Sequence, residues 1–94
     1  MKKIGLFTNG VKRNREVIPE LVEKFFHRQD IKLFALEESL EWLPTYVKCY
    51  EKGIKLDYLL IFGGDGTILR GVDIALESGA SVLGINMGRL GFLS

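Results

Sequence analysis

The stretch Asp57-Tyr58-Leu59-Leu60-Ile61-Phe62-Gly63-Gly64-Asp65-Gly66-Thr67 decides how this chain folds. Residues 57–62 are a nearly continuous apolar run, the pattern of a strand buried on both faces of a parallel sheet. The run passes without a spacer into glycines 63, 64 and 66 placed around an acid. From Thr67 to Ser78 the period changes. Ile68, Val72, Ala75 and Leu76 recur at helical spacing, and Gly79 supplies the stop.

The same alternation extends outward. Residues 3–8 carry Ile4, Leu6 and Phe7 and close on Asn9-Gly10, a short buried strand followed by a strong turn signal. Asn14 is placed to cap a helix running to about Arg28, with Val17, Leu21, Val22 and Phe25 on one stripe. Pro19 is tolerable only in a first turn, so the regular helix is expected to begin nearer to it. Residues 31–36 alternate as a second strand. Residues 37–53 are helical in composition but interrupted by Pro44, which predicts a short helix over 38–43 and a longer one over 45–52 ended by Gly53. Residues 81–85 form a last short strand, and 86–91 are a glycine-punctuated loop. The predicted order is β-α-β-α-β-α-β, an α/β fold with an open, mostly parallel sheet and helices on both faces.

The chain has 94 residues, of which 47% are hydrophobic, so residues 1–94 make one globular domain at most. A domain of this size buries only about 60–65% of the surface its unfolded chain exposes. Thirteen basic against twelve acidic residues leave a formal charge of +1. That balance offers no broad field for nucleic acid or an anionic membrane, so phosphate binding has to come from local geometry and one or two placed cations. The single Cys49 excludes an internal disulfide and a multi-cysteine zinc site, and reads as a plain surface or core thiol. There is no signal peptide and no run near the ~20 apolar residues of a membrane span, which makes the cytoplasm the default expectation. Leu90, Phe92 and Leu93 are apolar where a domain usually frays into polar residues, which suggests that the natural protein continues past Ser94.

In an open parallel sheet, ligands bind beyond the carboxyl ends of the strands. Both glycine-rich segments, 63–67 and 86–91, leave strands at that end. Glycines 63, 64 and 66 permit two readings: freedom for a tight turn, or removal of Cβ atoms so that backbone N–H groups approach a phosphate or sugar at a helix N-terminus. Two familiar phosphate motifs fail. A dinucleotide fingerprint from Gly64 and Gly66 would need a third glycine at Leu69, and Gly66 to Gly71 is followed by Val72-Asp73 rather than the Lys-Ser/Thr of a Walker loop. Asp65 discriminates further. A carboxylate repels polyphosphate but accepts a hydrogen bond from a hydroxyl, and a helix N-terminus stabilises the anion. The competing reading of Asp65 is an ordinary N-cap, a role that Thr67 is better placed to fill.

Gly-Gly-Asp-Gly-Thr after a buried strand resembles the signature shared by NAD kinases, 6-phosphofructokinases and diacylglycerol-type lipid kinases. The second loop separates them. Gly84-Ile85-Asn86-Met87-Gly88-Arg89-Leu90-Gly91-Phe92-Leu93 is similar to the NAD kinase segment, whereas lipid kinases carry a Gly-Thr-Gly-Asn-Asp type of segment there. Asn9-Gly10-Val11-Lys12 adds a weaker likeness to the family's Asn-x-x-Lys. The resemblance covers the whole chain and implies a phosphofructokinase-like, Rossmann-like N-terminal domain.

The resemblance also implies roles for particular residues. Asp65 matches the catalytic aspartate, Asp65 and Gly66 the backbone contacts to NAD, Arg70 a basic residue that contacts the dinucleotide, and Phe92 the ring beside the adenine. Gly63, Gly64, Gly66 and Thr67 match the nucleotide loop. Phe92 also reads as a plain core residue, and Arg89 equally as a salt-bridge former or a phosphate contact. The family's substrates are ATP and NAD, with Mg²⁺ or another divalent metal. Its β-rich second domain, with an Asn-Glu or Asn-Asp motif, is absent from these residues, and its sites are closed by another subunit of a homo-oligomer. The alternatives are a lipid or sugar kinase of the same superfamily and a non-catalytic nucleotide-binding module.

Overall fold

A computed structural model describes residues 1–86. Within them β1 (Lys2–Thr8), β2 (Ile31–Ala35), β3 (Lys48–Cys49), β4 (Tyr58–Gly63) and β5 (Ser81–Asn86) form one sheet in the order β3-β2-β1-β4-β5. All four pairings are parallel. Helix α1 (Lys12–Leu21), α2 (Glu37–Leu40) and α3 (Asp65–Ser78) join them. The α/β class with helices on both faces is as the sequence predicts. No helix among the described residues is long and apolar enough to cross a membrane.

Alternation along the strands divides the core in two. Ile4, Leu6, Leu33, Ala35, Leu60 and Phe62 face one side and pack with Ile18 and Val22. Phe34, Leu59 and Ile61 face the other and pack with Ala75 of α3. Both clusters draw on β2 and β4, which accounts for the unbroken apolar run in the latter. On the second side β1 is covered by the link between β3 and β4, which contains no helix. Gly5 makes that possible, since a Cβ there would lie 2.7 Å from Leu56 Cδ1 and 2.8 Å from Leu59 Cδ1.

Three expectations are corrected. Helix α1 begins at Lys12, well before Pro19, with Val11 as its extended N-cap. Pro19 therefore lies inside the helix, where it removes one backbone hydrogen bond. Beyond Leu21 the helix continues over Val22–Phe26 as a wider π turn, a form that typically appears as a local bulge. Asn14 is not a cap but a buried residue of the first turn.

The helix expected over 45–52 is absent, and the short strand β3 stands in its place. Tertiary contacts outweigh composition here. Tyr46 stacks on His27 with ring centroids 3.9 Å apart and donates to Glu23 at 2.6 Å. Val47 is buried in the first cluster and Tyr50 in the second, a placement on both faces that extended chain provides. Among the described residues the sheet thus has five strands where four are predicted.

The third correction concerns Thr67. The N-cap of α3 is Gly64, without a side-chain cap, and Asp65 opens the helix. At the far end Gly79 is left-handed at φ 76° and closes the helix as expected.

Candidate active site

The register of the sheet fixes where the loops meet. Thr8 pairs with Phe62, so the β1–α1 and β4–α3 loops leave neighbouring strands at the same level. From there α1 leads toward β2 on one side and α3 toward β5 on the other. Neighbouring strands whose connections diverge form a topological switch point, the place where open α/β sheets bind ligands.

Glycines 63, 64 and 66 prove to differ. None has a positive φ, which among the described residues is confined to Gly10, Gly53 and Gly79. A Cβ on Gly63 would lie 2.6 Å from Thr67 Cβ, so that glycine makes room for the threonine, itself only 5% exposed. Among the described residues, a Cβ on Gly64 or Gly66 would meet nothing within 4 Å. Neither conformation nor packing among the described residues demands glycine at these two positions. Glycine in a helix costs about 0.5–1 kcal/mol relative to alanine, so Gly66 carries a cost without an internal return. Open space above a helix N-terminus, with exposed Asp65 between the two glycines, is the arrangement a ligand requires.

On the β1 side the loop is held from beneath. The Asn14 amide, 2% exposed, donates to Thr8 Oγ1 at 2.8 Å and to Asn9 Oδ1 at 3.0 Å. Asn9 Oδ1 also accepts from the Val11 N–H at 3.3 Å. Arg15 Nε donates to the Gly10 carbonyl at 2.7 Å, and Gly10 itself takes φ 70°. Beside this loop lies a cavity of about 260 Å³, walled by Asn9, Gly10, Arg15, Trp42 and Arg70 among others. Arg70 arrives from the opposite face of the sheet. The missing side chain of Gly71 allows α3 to lie directly on Ile61 and Phe7, which carries Arg70 over the end of β1.

The structure therefore brings Asp65, Gly66 and Arg70 to one edge of the sheet. Thr67 sits beneath Gly63, and Phe92 and Arg89 lie outside the described residues. Sequence reasoning missed Asn14 as a loop anchor and Arg15 and Trp42 as cavity walls. The signal was the Asn9-Gly10 turn at the end of β1, which sets Arg15 one turn into the following helix.

A parallel α/β sheet with an open glycine loop at its switch point defines an α/β domain of the ligand-binding kind. The chain belongs to the NAD kinase family: residues 12–94 match the ATP-NAD kinase N-terminal domain. It is 37% identical to an NAD kinase of Desulforamulus reducens over 102 residues, covering 100% of the chain and 34% of that protein. An NAD kinase of Legionella pneumophila is 33% identical over 98 residues, with 99% and 33% covered. NAD kinase 2 of Streptomyces coelicolor is 53% identical over 85 residues, covering 80% of the chain and 27% of the relative. The chain thus spans about a third of the length of these relatives.

Proposed function

We propose that the chain is the N-terminal domain of an NAD kinase, which transfers the γ-phosphoryl group of ATP to the 2′-hydroxyl of the adenosine ribose of NAD. The observation that carries this reading is the pair Gly64 and Gly66, open to solvent on either side of Asp65 at the switch point. In the transfer the hydroxyl oxygen bonds to phosphorus, the bond from phosphorus to ADP breaks, and the proton passes to the Asp65 carboxylate. An exposed aspartate is a weak base before that bond forms, so its main contribution is to orient the hydroxyl.

Gly66 and Arg70 contact NAD, and the family resemblance assigns Phe92 to its adenine. Gly63, Gly64, Gly66 and Thr67 form the nucleotide loop, with Thr67 supporting it from below. Among the described residues no three His, Cys, Asp or Glu side chains cluster for a metal. Mg²⁺ usually keeps several waters and is held largely by substrate phosphates, so in this reading it arrives with ATP and no residue of this chain is assigned to it. The metal would supply neutralisation of phosphate charge. The whole enzyme is cytoplasmic and homo-oligomeric, and its second domain and partner subunit complete a site of which this chain holds one wall.

The test is NADP formation by the full-length protein, with ATP and with inorganic polyphosphate as donors and with a diacylglycerol and a sugar phosphate as rival acceptors. NADP formation supports the reading. Phosphorylation of a rival acceptor alone moves the protein to another branch of the superfamily, and nucleotide binding without any transfer makes it a binding module.

A further inference from the structure

We infer that the cavity at the end of β1 is a seat for a phosphate chain, in which Arg15 acts together with Arg70. This deepens the phosphotransfer reading above and rests on it. At about 260 Å³ the cavity is smaller than the ~300–1,000 Å³ that accommodates a whole drug-sized ligand. It fits part of a substrate rather than all of one.

The walls specify which part. Arg15 comes from α1 and Arg70 from α3, so two guanidinium groups converge from opposite faces of the sheet. Arg15 is anchored through Nε to the Gly10 carbonyl, which fixes the direction of its remaining donors. Arg70 makes no hydrogen bond or ion pair among the described residues. Glu38 is the one carboxylate in the lining. The lining therefore carries two cations against one anion in a chain whose net charge is only +1. Paired arginine forks suit phosphate oxygens, which accept two parallel hydrogen bonds from each.

Position supports the same assignment. Thr8 and Phe62 are register partners, so the loops that follow them leave strands about 4.8 Å apart. Asp65 is not part of the lining. A phosphate chain seated here avoids the carboxylate along its length and presents its end to the loop that carries it. Two sources share this chemistry, the triphosphate of the donor and the diphosphate of the dinucleotide.

The experiment uses the full-length enzyme and inorganic tripolyphosphate as probe, followed by separate KM values for ATP and NAD. Arg15→Gln and Arg70→Gln are each expected to weaken tripolyphosphate binding at least about tenfold, as for loss of a charge-assisted contact. Each should raise the KM of one substrate, and which substrate rises identifies the source. Glu38→Gln removes a repelling charge and is expected to tighten binding by about fivefold. Arg13→Gln, on the same helix but outside the cavity, should leave binding unchanged.

Arg70 has no partner to lose among the described residues, so its variant remains informative if Arg15→Gln disturbs the Gly10 turn. Unchanged tripolyphosphate binding and unchanged KM values in Arg70→Gln would overturn the proposal. Weaker binding in Glu38→Gln would overturn it as well, since the cavity would then take a cation or a base. An equal loss in Arg13→Gln would reduce the effect to unspecific charge and overturn it too. Asp65→Asn separates the two readings: it should lower transfer by about 10²-fold or more while tripolyphosphate still binds.

Discussion

Gly63 and Thr67 occupy one another's space: the threonine side chain fills the volume where a Cβ on the glycine would stand, with a Cβ to Cβ separation of 2.6 Å. Three residues further along the same loop, Gly66 has nothing within 4 Å of that position among the described residues. One loop therefore contains a glycine that the fold uses and a glycine that the fold does not use.

The two are expected to respond to alanine with opposite signs. Gly63→Ala forces Thr67 to move and should destabilise the protein by about 1–3 kcal/mol, the usual cost of overpacking. Gly66→Ala should stabilise it by about 0.5–1 kcal/mol while lowering kcat/KM, because the methyl group enters the space kept for the ligand. Thermal melting and initial rates on the full-length enzyme check both. Full activity in Gly66→Ala would mean that the open space above the helix is unused.

Asp65→Asn keeps the size of the side chain and removes its charge and proton acceptor. In the full-length enzyme kcat is expected to fall by about 10²-fold or more, with little change in the KM for NAD. Turnover at the wild-type rate would remove Asp65 from the chemistry.

Tyr50 is buried and donates to Glu77 at 2.8 Å. Burial first, and then this hydrogen bond, push its hydroxyl up from 10 to about 12. The folded state thus favours the neutral phenol. Its contribution to stability is present below pH 10 and is lost as the pH rises toward 12. Wild type should lose melting temperature across that window more steeply than Tyr50→Phe, which has no proton to release. Parallel curves for the two proteins would show that the tyrosine does not contribute.

The 94-residue chain made alone is expected to fold and yet form no NADP, since positioning supplies most of the rate and, on the proposed function, the chain holds one wall of the site. Leu69, Val72 and Leu76 line the outer side of α3, where Leu76 is 78% exposed, and Val82 and Leu83 are exposed on β5. Apolar surface of this kind favours self-association. Sedimentation should find dimers or larger species, and a coupled assay should find no NADP. Measurable NADP would place a complete site within these residues.

Much of this was legible in the sequence because the signals were local. The apolar run before Gly63 gave the central strand, the period after it gave α3, and Gly79 gave its end. What escaped notice depends on partners distant in the chain. Nothing near residue 48 announces a strand; the segment is extended because Tyr46 reaches back to Glu23 and His27 and β2 offers a free edge. Asn14 looked like a cap, since caps and buried loop anchors use the same side chain. Asp65 was visible because its glycines were. Arg15 was not, because its place at the cavity follows from the starting point of α1, which Pro19 disguised.

The pairing pattern also bears on the order of assembly. Tyr58 and Ser81 are 23 residues apart in the chain, Lys2 and Ile31 are 29 apart, and Ile4 and Tyr58 are 54 apart. Closure of a longer loop costs more entropy, and contacts between distant segments form more slowly. The unit β4–α3–β5, with the loop that carries Asp65, is therefore expected to form ahead of the docking of β1 against β4. Arg15 and Arg70 would face each other only at that last step, so the cavity appears when the chain has finished folding. An agent that binds both arginines would then slow unfolding and leave the folding rate nearly untouched, the behaviour of contacts absent from a transition state.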